Sequence, residues 1–109
     1  MGCVIDHAYP EYVIIEDNVC LTGNVYIVAH SKPSDYYMGI FKSYVSPVIL
    51  KKDVFVGVNV TVTSGVEVAG GCFITAGSIL FNSFKNKNAL IRGNPAEEVL
   101  NFNKEQIEN

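Results

Sequence analysis

The chain has 109 residues, 49% of them apolar, with eight basic and eleven acidic side chains and a net charge of −3. That apolar content excludes a disordered polymer, and the lack of a basic stripe argues against nucleic acid as a partner. No apolar run approaches the ~18 residues of a membrane span, and a single domain, 1–109, is expected at this length.

Met1-Gly2-Cys3 is not followed by a basic region and an apolar core, so no secretory signal is expected. Residues 1–12 keep no regular period and read as an irregular opening coil. From there a fixed spacing sets in. Ile15, Leu21 and Ile27 fall six residues apart, with Val13, Val19 and Val25 in a companion phase. Six is neither the 3–4 spacing of a helix nor the 2 of an ordinary strand. It marks a solenoid and fits a parallel β-helix. Each hexad is then one short strand plus a corner, and three hexads close a triangular coil.

The period stops at Ile27-Val28-Ala29-His30, and Ser31–Pro47 follows out of register, with Tyr36, Tyr37, Phe41 and Tyr44 within it. Connections longer than ~12–15 residues are uncommon and often functional. Two readings stay open for this loop: its aromatics pack on the solenoid or a neighbouring subunit, or they cover a substrate. The period then resumes without a break at Leu50, Val56, Val62, Val68, Ile74 and Leu80, with Val54, Val60, Val66, Cys72 and Ser78 in the companion phase. Residues 81–88 are polar and turn-like. Asn94-Pro95-Ala96-Glu97-Glu98 carries helix-start signals: an N-cap, a proline at the first position and acidic residues in the first turn. A short C-terminal helix presenting Val99, Leu100, Phe102 and Ile107 is therefore predicted to close the solenoid. Coils this few bury little alone, so self-association is expected.

Few residues can do chemistry. Cys3, Cys20 and Cys72 form no C-x-x-C pair, which argues for free thiols in a reducing compartment and a cytoplasmic location. Two histidines, His7 and His30, are too few for a histidine-built zinc site, and no metal is expected. His30, where the register stops, is either a general base or an exposed loop histidine.

Several stretches in order carry a resemblance: Ile15-Glu16-Asp17-Asn18-Val19, Ile27-Val28-Ala29-His30, and Pro47-Val48-Ile49-Leu50 through Val56-Gly57. They continue in Thr63-Ser64-Gly65-Val66, Ile74-Thr75-Ala76-Gly77-Ser78 and Arg92-Gly93-Asn94-Pro95-Ala96. Over roughly residues 4–100 the sequence resembles the hexapeptide-repeat acyltransferases, closest to the galactoside, maltose and lipopolysaccharide O-acetyltransferase branch. The resemblance implies a left-handed parallel β-helix and a homotrimer with active sites between subunits. It also implies transfer of an acetyl group from acetyl-CoA to a hydroxyl of a sugar or similar small acceptor. His30 matches the family's general base, and the Val58 backbone N–H matches the oxyanion donor. Phe55, Ala76 and Gly77 match positions along the coenzyme arm, and Asp6 lies near the acceptor-binding segment. The family's basic residues for the coenzyme phosphates are replaced by Phe81-Asn82-Ser83 and Glu97, leaving Lys85, Lys87 or Arg92 as substitutes, with a solvated loop the alternative for the two lysines. Those departures support an alternative, a non-catalytic trimeric β-helix that binds or assembles.

Overall fold

The computed structural model describes residues 2–31, 34–40 and 43–102. Its strands are β1 (Val4–Ile5), β2 (Val13–Ile15), β3 (Cys20–Leu21), β4 (Tyr26–Ile27), β5 (His30–Ser31), β6 (Tyr44–Val45) and β7 (Val48–Leu50). They continue as β8 (Phe55–Val56), β9 (Thr61–Val62), β10 (Glu67–Val68), β11 (Phe73–Ile74), β12 (Ile79–Leu80), β13 (Ala89–Gly93) and β14 (Ala96–Asn101). From β7 to β12 each strand joins a different sheet from the one before, and the chain returns to the same sheet after three strands. Sheet A runs β1-β4-β9-β12, sheet B runs β10-β7-β2, and sheet C runs β14-β13-β11-β8-β3. Every pairing in sheets A and B is parallel, as are those of sheet C up to β13. The result is a three-sided parallel coil, nearly all β, in which the six-residue period is one side plus one corner.

The registers explain the period. Leu50 pairs with Val68, Val56 with Ile74 and Val62 with Leu80, so residues eighteen apart stack across one strand spacing. All six lead residues are fully buried, and so are Val54, Val60, Val66, Cys72 and Ser78. Each buried valine contributes about 1.5–2 kcal/mol of transfer free energy, repeated coil after coil. Corners need a left-handed backbone, and polar residues or glycine supply it: Asn24, Asn59 and Gly77 all have positive φ at the edge between sheets C and A. Gly57 is required for another reason. A Cβ there would stand 2.7 Å from the Ala76 backbone nitrogen in the next coil.

Three expectations change. The C-terminal helix is absent from the described residues. Ala96–Asn101 instead folds back as β14, antiparallel to β13, with Asn94-Pro95, a cis peptide, at the turn. Leu90 and Ile91 already sit on sheet C, so residues 96–101 gain a ready ladder there, which outweighs the helix-start signals. Ile107 lies outside the described residues. Residues 1–12 are not wholly irregular either, since β1 joins sheet A beside β4. Finally, the lead phase of the first block buries Ile27 but leaves Ile15 36% exposed, because β2 is the last strand of sheet B and no coil stacks on it.

The long connection leaves the coil as a hairpin stem. β5 and β6 pair antiparallel, His30 opposite Val45 and Ser31 opposite Tyr44. Ser46 N–H donates to Ala29 carbonyl at 2.9 Å, returning the chain beneath its point of departure. Phe41 lies outside the described residues.

Candidate active site

His30 stands at the edge between sheets A and B, just after β4. β1 pairs with β4 through Val4–Tyr26 and Ile5–Ile27, which places Asp6 level with the start of the same corner. Asp6 N–H donates to Ile27 carbonyl at 2.9 Å and fixes the backbone there. The Asp6 carboxylate has no exposed surface. Its Oδ1 accepts the N–H groups of Ala8 at 2.9 Å and Tyr9 at 2.8 Å. Its Oδ2 accepts Ala29 N–H at 2.7 Å and meets His30 Nδ1 at 2.5 Å. Burial alone would raise the Asp6 pKa, but the bonds from Tyr9, His30, Ala29 and Ala8 outweigh it and hold the carboxyl far below the usual carboxylate range. Asp6 is therefore ionised at neutral pH. An ionised carboxylate only accepts, so Nδ1 donates the shared proton and Nε2 is the ring nitrogen left to meet a substrate. The imidazole is one-third exposed. It opens on a cavity of about 390 Å³ lined by Ala8, Tyr9, His30, Ser31, Ser43, Tyr44 and Val45.

Val58, Ala76, Gly77 and Arg92, also singled out from sequence, lie on a different edge, between sheets C and A. Val58 follows β8, and its carbonyl accepts Gly77 N–H from the next coil at 2.9 Å. Among the described residues, no acceptor meets the Val58 N–H. Ala76 and Gly77 are exposed on that corner. Arg92, exposed near the end of β13, lies one coil further on, and the following Gly93 N–H donates to Ser78 Oγ at 3.2 Å. Phe55, on β8 of sheet C, stacks on Phe73, ring centroids 4.4 Å apart and planes within 14°, and both rings line a cavity with Asn18, Asp53, Gly71 and Asn88 of the edge between sheets B and C. Lys85 does not join the Val58 edge. It lies in the turn between the Phe84 bridge to Val68 and β13, at the edge between sheets B and C. Asp6 sits beneath His30 with its oxygens occupied, rather than presenting them to the cavity.

Sequence reasoning missed the Asp6–His30 contact and the part played by Tyr9, whose ring lies 5.4 Å from the imidazole. The parallel pairing of β1 with β4 brings all three together, and its only trace in the sequence is the Val4-Ile5 pair ahead of Asp6. Among the described residues, no three His, Cys, Asp or Glu side chains come together to hold a metal ion.

This three-sided coil of hexads is a fold shared with solved structures named as hexapeptide-repeat acetyltransferases. The structure of a galactoside acetyltransferase in complex with coenzyme A superposes with a TM-score of 0.77 at 25% identity, covering 87% of this chain and 48% of that one. A maltose O-acetyltransferase from Clostridium difficile 630 superposes with a TM-score of 0.65 at 22% identity, covering 94% and 64%. In sequence, YvoF of Bacillus subtilis (strain 168), named as a candidate acetyltransferase, is 24% identical over 103 residues, covering 94% of this chain and 55% of YvoF. The chain thus spans about half the length of YvoF and of the galactoside enzyme. No protein-family model matches the sequence.

Proposed function

We propose that the chain is an acetyl-CoA-dependent acetyltransferase that acetylates a hydroxyl of a sugar or similar small acceptor, on a left-handed β-helix assembled as a trimer. The observation that carries this reading is the His30–Asp6 pair at a cavity mouth: an imidazole with its tautomer set by a buried carboxylate is equipped to take a proton. His30 Nε2 removes the proton from the acceptor hydroxyl as its oxygen attacks the thioester carbonyl. The Val58 N–H, without an acceptor among the described residues, stabilises the oxyanion. Collapse of the tetrahedral intermediate forms the acetate ester and expels the CoA thiolate, which takes the proton held by His30. Asp6 steadies the imidazolium throughout and acts through His30, not on the acceptor.

Ala76 and Gly77 present backbone to the pantetheine arm, Phe55 packs beside it, and Arg92 serves its phosphates. His30 and the Val58, Ala76, Gly77 and Arg92 corners occupy different edges of the solenoid, which supports a site completed by a second subunit. Lys85, on the third edge, stands apart from this set. Transfer is tested by thiol release from acetyl-CoA over a panel of sugars. Acceptor-dependent release that falls by about 10²–10⁴-fold in His30→Ala, with secondary structure unchanged, supports the reading. Release from no acceptor, or release indifferent to His30→Ala, overturns it.

A further inference from the structure

Tyr9 is unusual among the residues at the cavity because it is held from three sides. Its N–H is bound to Asp6 Oδ1 at 2.8 Å, the same carboxylate that positions His30. Its ring meets Tyr12 edge-on at 6.1 Å and 88°, and lies tilted against the imidazole at 5.4 Å and 57°. The residue is nevertheless 38% exposed and lines the cavity. Ser31, Ser43 and Tyr44 complete that lining with hydroxyl groups. An apolar ring face fixed beside a proton acceptor, with hydroxyl partners around it, complements a molecule that is flat and apolar on one side and rich in hydroxyls at its rim. A pyranose ring has that form. An open-chain polyol has no fixed apolar face to offer.

We infer that Tyr9 is the acceptor platform and selects cyclic sugars over open-chain polyols. The sugar's C–H face stacks on the Tyr9 ring, and one ring hydroxyl is delivered to His30 Nε2. This deepens the acetyltransferase reading and rests on it for the chemistry, but the binding claim stands apart and can be tested apart.

The experiment compares wild type, Tyr9→Phe and Tyr9→Leu in two measurements. The first is saturation-transfer NMR in the presence of CoA, with methyl pyranosides and alditols as probes. The second is steady-state thiol release with the same compounds as acceptors. Wild type and Tyr9→Phe should transfer saturation to pyranoside ring protons, and Tyr9→Leu should not. Tyr9→Leu should raise the pyranoside KM by about tenfold or more, with kcat and the acetyl-CoA KM within about threefold and alditol kinetics unchanged. The proposal is overturned if wild type shows no saturation transfer to any pyranoside, or if Tyr9→Leu leaves it intact. It is also overturned if Tyr9→Leu lowers kcat at unchanged KM, which would make Tyr9 a positioning residue for His30. Saturation transfer lost in Tyr9→Leu without any thiol release from wild type would support the platform and defeat the acetyltransferase reading. Thiol release indifferent to ring or chain would do the reverse.

Discussion

Four hydrogen bonds converge on the Asp6 carboxylate, three from backbone N–H groups and one from His30. Its folded pKa lies below its unfolded value, so the unfolded chain binds the proton more readily. The stabilisation is therefore fully present above the unfolded value of about 3.9 and is lost as pH falls through the folded pKa. Asp6→Asn removes the charge and should cost about 2–4 kcal/mol at pH 6–7. That penalty should shrink steadily below about pH 4, and urea titrations of both proteins from pH 7 to pH 3 measure it. An equal penalty at every pH would mean that the carboxylate's charge is not what matters. The same variant should lower kcat by about 10²–10⁴-fold while leaving CoA affinity unchanged, since Asn no longer fixes the imidazole tautomer.

At the scale of the element, the hexad is the unit that folds. Val62 is fully buried, stacked between Ile27 and Leu80, while Thr61 on the same strand points outward. Val62→Ala should cost about 1–3 kcal/mol and Thr61→Ala about 0.5 or less, read as thermal midpoints. Gly57→Ala should also destabilise, since its Cβ would strike the Ala76 backbone rather than a movable side chain. If Thr61→Ala proved the more damaging, the inward phase would be misassigned. The inward phase was legible because stacking repeats one requirement six times, from Leu50 to Leu80. It blurred at Ile15, where burial depends on a coil that is not stacked there and no local pattern records it. The segment after Asn94 misled for the opposite reason. Its helix-start residues are sound local signals, but an open strand of sheet C lies within reach, and only the three-dimensional arrangement shows it. The break in period marked His30 but left it open between a general base and an exposed loop histidine, and only the family resemblance favoured the base. Its carboxylate partner, 24 residues away, became visible only through the β1–β4 register.

For the whole molecule, the separation of the site residues onto two edges is the decisive feature. His30 stands between sheets A and B, and Val58, Ala76, Gly77 and Arg92 stand between sheets C and A. On the proposed roles, a chain working alone would hold base and oxyanion donor apart, and the proposed trimer would bring one edge of each chain against the other edge of its neighbour. Light scattering should return three times the 11.9 kDa chain mass. Mixed trimers of His30→Ala with a variant disabled at the Gly77 corner should recover transfer that neither parent shows. The most direct measurement is a crystal structure with CoA. The thiol should lie between His30 of one subunit and the Val58 N–H of the next, with the pantetheine arm along Ala76 and Gly77. CoA bound away from His30, or a crystal soaked at millimolar CoA that contains none, would contradict the account.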